Sequence, residues 1–216
     1  MAAENIESID ALLARYVAGA LPLPARLLVA THLELKPASR RFVEGLEDIA
    51  GVSLEHEPGQ PVADRTARLD AIFAAPNPLS PALARPARAD GIFPRALRDF
   101  AGFGPANVPW RTKMPGFKEY DFGEIDGCTL SLFWIKPGRR IPQHTHEGSE
   151  LSLVLDGAFS DINGHYGRGD ISIADETVDH RPVADKERPC IGMAVTDGPL
   201  RLTGPLGQRL SDILFS

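Results

Sequence analysis

The most informative stretch of this chain reads Gly138-Arg-Arg-Ile-Pro-Gln-His144-Thr-His146-Glu-Gly-Ser-Glu150, and Gly157 closes it. Successive side chains of a β-strand alternate between its two faces, so His144 and His146 point in the same direction. Glu150 follows on the same segment. Two neutral imidazoles and one carboxylate that converge can hold a divalent first-row metal, but they leave it under-coordinated.

His180 supplies a third imidazole from further along the chain. It follows the pair Gly169-Asp170, which is typical of a turn that starts a strand returning across the same barrel. Three imidazoles and one carboxylate suit Zn²⁺, Fe²⁺, Mn²⁺ or Ni²⁺. A tetrahedral zinc site with four protein ligands would be closed, whereas octahedral iron would keep open positions for O₂ or a substrate. The nature of the metal therefore separates a sensor from an enzyme.

Spacing gives the remaining histidines no metal role. His32, His56 and His165 are expected to be surface or hydrogen-bonded residues. Glu147 is a near neighbour of the histidine pair. We expect it at the rim of the site, where it could compete with Glu150 for the metal.

Composition and charge exclude several classes of protein. The 216 residues are 43% hydrophobic and 24% charged, as in an ordinary globular protein, and the net charge of -6 argues against non-specific binding to nucleic acid. No apolar run is long enough to cross a bilayer, and the first residues lack the features of a signal peptide. Cys128 and Cys190 are too few for a disulfide scaffold and are expected to be small core residues. We therefore expect a cytoplasmic protein without a membrane anchor.

Apolar residues recur at helical spacing through the first 75 residues. The pattern predicts four helices: one that ends at Gly19, one from about Pro24 to Pro37, one over residues 38–49 capped by Gly51, and one over residues 66–75. Helices this short are marginal alone, so they must pack on one another or on a partner.

The amino-acid composition of the chain changes after residue 75. Prolines interrupt residues 76–104, which is typical of a semi-rigid linker, with a small helix expected over residues 93–100. From residue 105 onward, short apolar runs separated by Gly or Pro indicate an antiparallel sandwich or barrel. We expect an α+β chain of two domains, with a helical domain at residues 1–75, the linker, an all-β domain at residues 105–200, and a tail at residues 201–216 that could form an amphipathic helix.

One predicted strand is apolar on both faces. The face that carries Glu150 should look into the barrel, and the opposite face presents Leu151, Leu153 and Leu155. Something must cover these leucines: a second sheet, the N-terminal segment or another subunit.

The stretch from Gly138 to Gly157 matches the first cupin motif at every fixed position. The resemblance covers residues 105–200 and implies a C-terminal all-β cupin, a small jelly-roll barrel. It also implies that four side chains converge on a metal in the lumen: His144, His146, Glu150 and His180.

The second cupin motif is partly present. Gly169, Asp170 and His180 fit it, whereas Ala174 or Asp175 stands where a proline is common.

The helical half resembles the zinc-binding anti-sigma domain of the ChrR-type anti-sigma factors. The resemblance rests on Tyr16-Val-Ala-Gly-Ala-Leu-Pro and Val29-Ala-Thr-His32-Leu-Glu-Leu, and that family also joins such a domain to a C-terminal cupin. The family's domain carries His-x3-Cys-x2-Cys and a further histidine in its first helix. This sequence keeps His32 but has Lys36 and Ser39 at the two cysteine positions. We therefore expect no zinc in the N-terminal domain.

A structural zinc stabilises the folded state, so a domain that has lost it needs other interactions to supply that stability. Glu7 stands at or near the first-helix ligand position, so one hypothesis is an ion pair between Glu7 and Lys36. Such a pair would contribute little if exposed, so packing by Leu33, Leu35 and Phe42 would supply most of the stability. The alternative is that both charges are solvated.

The resemblance implies a transcription regulator of the stress-response type. Its helical domain would bind and sequester an extracytoplasmic-function-type sigma factor. Its cupin would bind one divalent metal, with zinc expected ahead of iron, manganese and nickel. The cupin would also sense an oxidative or small-molecule signal. The alternative is a metal-dependent cupin enzyme, dioxygenase-like or hydrolase-like, acting on a small substrate. A third hypothesis is a stand-alone ligand-binding or scaffold protein. A homodimer through the cupin is possible, and direct binding to nucleic acid is not expected.

Overall fold

The helices lie mainly in the first half of the chain. The computed structural model describes residues 8–75 and 91–214. Within these ranges the helices are α1 (Ile9–Val17), α2 (Leu23–Leu35), α3 (Pro37–Glu55), α4 (Arg65–Ala74), α5 (Arg95–Ala101) and α6 (Leu206–Leu214). No helix in these ranges is long and apolar enough to cross a membrane.

The second half is a barrel of antiparallel strands. They are β1 (Arg111–Met114), β2 (Phe117–Ile125), β3 (Cys128–Ile135), β4 (His144–His146), β5 (Glu150–Asp156), β6 (Ala158–Asp161), β7 (Gly164–Gly167), β8 (Ile171–Ala174), β9 (Val183–Ala184), β10 (Cys190–Thr196) and β11 (Leu200–Leu202). The large sheet has the order β1-β2-β3-β10-β5-β8, and the smaller ones pair β11 with β4 and join β7, β6 and β9. This order of strands is the expected jelly roll following a helical segment.

Local sequence explains how the first helices begin. The Ser8 hydroxyl accepts a hydrogen bond from the Ala11 amide and caps α1. Pro24 lies in the first turn of α2, where a backbone N–H would have no acceptor within the helix, so proline costs no hydrogen bond there. Pro37 starts α3 directly after α2, so the second helix ends where the sequence predicts.

The predicted end of the third helix is wrong. Gly51 does not cap α3, which continues to Glu55. An exposed glycine inside a helix costs only about 1 kcal/mol relative to alanine, so the neighbouring turns carry the helix through it. Helical spacing places Phe42, Val43 and Ile49 on the apolar side of this helix, yet only Val43 is buried, and Phe42 and Ile49 are exposed.

The N-terminal helices cover the outer face of the large sheet. The helices and this face share one apolar core, whose members include Leu12, Leu13, Leu28, Val29, Leu33, Leu97, Leu130, Leu132, Leu151, Leu153, Leu155, Met193 and Val195. Of the three covers considered for the leucines of β5, the N-terminal segment is therefore the one present. Helix α5 lies inside the proposed linker and contributes Leu97 to this core, whereas residues 76–90 lie outside the described residues. The domain boundaries remain a prediction.

A second apolar cluster fills one end of the barrel interior. It contains Phe133, Ile135, Val154, Phe159 and Cys190 together with two alanines. Cys190 and Cys128 are both buried and reduced, as expected of small core residues. The remaining interior, toward Glu150, is lined by polar side chains.

Candidate metal centre

The three predicted imidazoles and the predicted carboxylate lie together inside the barrel. One ligand atom from each of His144, His146, Glu150 and His180 lies within 4.8 Å of all the others. The Nε2 atom of His180 is 2.9 Å from that of His144 and 3.4 Å from that of His146. The Oε2 atom of Glu150 is 3.3 Å from His146 Nε2 and 3.9 Å from His180 Nε2. Within the described residues this is the one cluster of at least three such side chains able to hold a metal ion.

Backbone pairing sets the positions of these side chains. His144 and His180 exchange two backbone hydrogen bonds of 3.0 Å, so their side chains leave the same side of the pair. Strand β4 is held on its other edge by β11, with Leu202 opposite His144. Glu150 begins β5 and pairs with Thr196 of the central strand β10.

Thr145, between the two histidines, points away from the cluster. Its hydroxyl donates to the carbonyl of Glu176 at 3.1 Å, and this bond joins β4 to the turn before His180. In that turn Asp175 accepts hydrogen bonds from the amide and the hydroxyl of Thr177. An aspartate that bonds its own backbone two residues on forms a turn as a proline would, so the departure from the second cupin motif does not displace His180.

The second nitrogen of two imidazoles is fixed by an acceptor. His144 Nδ1 donates to the Pro142 carbonyl at 2.8 Å, and His180 Nδ1 donates to Asp161 Oδ2 at 2.9 Å. These acceptors orient the two rings so that the Nε2 atom of each points into the cluster. The Nδ1 atom of His146 is buried and has no hydrogen-bond partner among the described residues.

Burial determines the charge of the cluster. It lowers the pKa of His144 and of His146 to about 4 and raises the pKa of Glu150. Both histidines are therefore neutral near pH 7. The Nε2 atoms of His144 and His180 face each other at 2.9 Å, a separation at which one cation between them can contact both. The donor set fits a divalent metal of the first row.

Asp161 is a functional residue that the sequence does not reveal. Its side chain is fully buried at the end of β6, and its Oδ1 atom accepts hydrogen bonds from the amides of Asn163 and Gly164. Burial alone would raise the pKa of Asp161, but the hydrogen bonds from His180, Asn163 and Gly164 lower it. A charged Asp161 therefore fixes the tautomer and the ring orientation of His180. The segment Asp161-Ile-Asn-Gly reads as an ordinary hairpin turn, so no spacing could have identified it.

The cluster opens onto a cavity of about 570 Å³. One row of residues in the cavity wall crosses four strands, and all of its side chains are small. They belong to Ser131, Ala194, Ser152 and Ser172, which are neighbours in register. The next row is closed by the ring of Phe133, which lies over Gly192. The result is space for a small organic molecule between the ligand cluster and an apolar floor.

The other histidines do not join the cluster. His56 is exposed and hydrogen-bonds its own helix, and the exposed His165 pairs with Asp185 at 3.1 Å. Glu147 is exposed and lies outside the cluster.

His32 and Lys36 contact the barrel instead of forming a site with each other. His32 Nδ1 donates to the Gly169 carbonyl at 2.7 Å, and Lys36 Nζ lies 2.7 Å from Asp170 Oδ1. Glu7, the suggested partner of Lys36, lies outside the described residues. The ion pair of Lys36 is therefore made with the barrel, across the boundary between the two halves of the chain.

Two comparisons with known proteins agree with this architecture. Residues 101–200 match a family described as the ChrR Cupin-like domain. The Anti-sigma-E factor ChrR of Cereibacter sphaeroides is 39% identical over 195 residues, which is 89% of this chain and 89% of that protein.

A solved structure matches the helical half as well as the barrel. The crystal structure of Rhodobacter sphaeroides SigE in complex with the anti-sigma ChrR contains a chain that superposes with a TM-score of 0.75 at 33% identity. The match covers 90% of this chain and 99% of that one. On the strength of its helices, its barrel and these two relatives, this chain belongs to the ChrR family of anti-sigma factors.

Proposed function

We propose that this chain sequesters an extracytoplasmic-function-type sigma factor through its helical half, while its barrel binds one metal and senses an oxidative or small-molecule signal. The observation that carries the first part is a set of exposed apolar side chains. On α3, Phe42, Ile49 and Val52 are 42%, 65% and 57% exposed, and on α4, Ile72 and Phe73 are 66% and 82% exposed.

The geometry of α3 and α4 suits a partner protein. At about 100° per residue, Phe42, Ile49 and Val52 share one face of α3. Helix α4 buries none of its side chains in the described part of the chain. A ten-residue helix is marginal alone, so a partner that covers Ile72 and Phe73 would stabilise it. In the solved relative, ChrR is in complex with SigE, which supports a sigma factor as this partner.

The second part of the proposal assigns the ligands of the metal. The Nε2 atoms of His144, His146 and His180 and the carboxylate of Glu150 would hold one divalent ion, and zinc fits best because four protein ligands complete a tetrahedron. When bound, such an ion supplies a positive charge that ties β4, β5 and the segment around His180 together. Lys36 and Ser39 offer no thiolate, so we propose no second metal in the helical half.

A sigma factor acts on RNA polymerase, so the proposal implies a cytoplasmic protein. Association of two copies through the barrel remains a prediction.

The cavity beside the ligand cluster leaves one alternative to test. A metal-dependent enzyme would use this space for a substrate, whereas a sensor would use it for a signal molecule. Iron together with O₂ consumption would favour the enzyme, and stoichiometric zinc without turnover would favour the sensor.

The experiment for sigma-factor binding is co-purification. The full chain is expressed with the sigma factor encoded beside it, and the SigE of Rhodobacter sphaeroides serves as a second bait. We expect a stable complex with the first bait. If the folded chain elutes alone with both baits, the proposal is wrong.

A further inference from the structure

The two halves of this chain meet at a polar contact as well as through the apolar core. On the helical side stand His32 and Lys36, one turn apart at the end of α2. On the barrel side stand Gly169 and Asp170, in the turn between β7 and β8. We call these four residues the junction contact.

The contact is specific in geometry. The imidazole of His32 is 4% exposed and donates to the Gly169 carbonyl, while Lys36 pairs with Asp170. Burial lowers the pKa of His32, so the ring is neutral and Nδ1 must carry the proton that it donates to the carbonyl. Gly169 has φ +85°, and a Cβ there would come within 2.8 Å of Lys36 Cε and 3.0 Å of Leu35 Cβ. Only glycine lets the turn approach α2 this closely.

The helical side of the contact controls where α3 begins. Lys36 is the residue between the two helices: its amide donates to the His32 carbonyl, and its own carbonyl accepts from Arg40 in the first turn of α3. A change in the position of Lys36 therefore redirects α3, which carries Phe42, Ile49 and Val52.

The barrel side of the contact is connected to the ligand cluster. The turn is pinned to β5, because the Gly169 amide donates to the Val154 carbonyl at 2.8 Å and the Val154 amide donates to the Asp170 carbonyl at 3.1 Å. Four residues before Val154, β5 begins with Glu150, which pairs in register with Ala174 of β8. A shift of β5 or β8 at the cluster is therefore passed along two hydrogen-bonded strands to the turn.

We propose that the junction contact couples the barrel to the helical half, so that metal held by the barrel increases the affinity of α3 and α4 for the sigma factor. This inference rests on the proposed function and adds the means by which the two halves communicate. An ion bound at Glu150 restrains β5 and β8, and the restrained turn then holds Lys36 and the start of α3 in the orientation that binds.

The size of the effect is bounded by the exposure of the groups. Lys36 and Asp170 side chains are 34% and 42% exposed, so their pair contributes at most about fivefold to an equilibrium. The buried hydrogen bond from His32 contributes up to about tenfold. Coupling between two sites in proteins commonly amounts to about five- to 150-fold.

The test measures the dissociation constant of the full chain for its sigma factor with and without one equivalent of Zn²⁺. We expect zinc to lower this constant at least about fivefold in the original chain. In Lys36→Met, which keeps the aliphatic stem, the zinc effect should fall at least about threefold. In His32→Leu/Lys36→Met the effect should vanish, and zinc content should stay the same.

Two controls separate coupling from damage. Asp99→Asn removes a charge from the exposed Arg95–Asp99 pair on α5 and should keep the full zinc effect. His144→Ala removes a proposed ligand and should abolish the effect by abolishing zinc binding. A folded double variant that keeps the full zinc effect would overturn the proposal, as would an original chain that binds sigma factor equally with and without zinc.

Amide hydrogen exchange gives a second readout that needs no sigma factor. Zinc should slow exchange in residues 37–55 of the original chain but not in the double variant. If sigma factor does not bind but zinc still slows this segment, the proposed function fails and the coupling stands. If exchange in the segment ignores zinc, the coupling fails whatever the sigma factor does.

Discussion

At the scale of single residues, the ligand cluster depends on a carboxylate outside it, because Asp161 accepts a hydrogen bond from His180 Nδ1. The His144, His146 and Glu150 positions follow from strand alternation and fixed spacing, and His180 follows from its place after a turn. Asp161 could not be found in this way, because the bond to His180 joins a hairpin to a distant segment and depends on the closure of the barrel. The contact of Lys36 with Asp170 was also missed, since it crosses from one half of the chain to the other.

Asp161→Asn should weaken the binding of Zn²⁺ by about ten- to 100-fold, which is the usual effect of removing the carboxylate behind a ligating histidine. The variant should stay folded because the asparagine can still accept from the turn amides. Competition with a coloured chelator measures the affinity. Asp185→Asn is the matched control, since Asp185 pairs with the exposed His165. Equal zinc affinities in the two variants would show that Asp161 plays no part.

The stability of the metal-free protein should fall as the pH drops from 6.5 toward 4. The folded-state pKa of His144 and of His146 is about 4, against an ordinary value of 6.5, so in this window the unfolded chain binds more protons than the folded one. Each imidazole then removes about 1.4 kcal/mol per pH unit. Urea unfolding at several pH values measures this slope. His144→Gln/His146→Gln should flatten it, and an unchanged slope in that variant would contradict the assignment.

At the scale of elements, hydrophobic periodicity and the positions of Gly and Pro predicted most of the helices and strands. The prediction failed at Gly51, because an exposed glycine is tolerated inside a long helix. Helical spacing also overestimated the packing of α3, because Val43 is buried but Phe42 and Ile49 are exposed. Spacing alone cannot distinguish a face that packs on the core from a face that binds a partner.

Ile72→Asp or Phe73→Asp should weaken sigma-factor binding by about 2 kcal/mol or more, as expected for a buried apolar anchor at an interface. The thermal stability of the free chain should not change, since both side chains are exposed. Ala71→Asp introduces the same charge on the opposite face of α4 and should bind normally. Affinity measured by calorimetry checks all three. Normal binding by both of the first two variants would remove α4 from the interface.

Glu34→Ala should destabilise the chain by about 1 kcal/mol, because its carboxylate accepts hydrogen bonds from the first amides of α5. Both bonds measure 2.8 Å and tie α5 to α2. Thermal unfolding is the measurement. Glu44→Ala, which breaks only an exposed pair with Arg40, should cost less. If both variants melt alike, the carboxylate does not cap α5.

At the scale of the whole molecule, the helical half and the barrel are less separate than the sequence suggests. Leu28 and Leu33 of α2 share a core with Leu151 and Leu153 of β5. The sequence showed that the outer face of β5 needed a cover, but which cover it has depends on contacts between distant segments. Because the two halves share this core, metal binding in the barrel can affect the orientation of α3.

The most direct test of the whole account is the mass of the full chain purified with its sigma factor, measured by native mass spectrometry. We expect one copy of the chain for each sigma factor and one divalent metal, with the metal lost in His144→Ala. A chain that carries no sigma factor, no metal or two metals would contradict it.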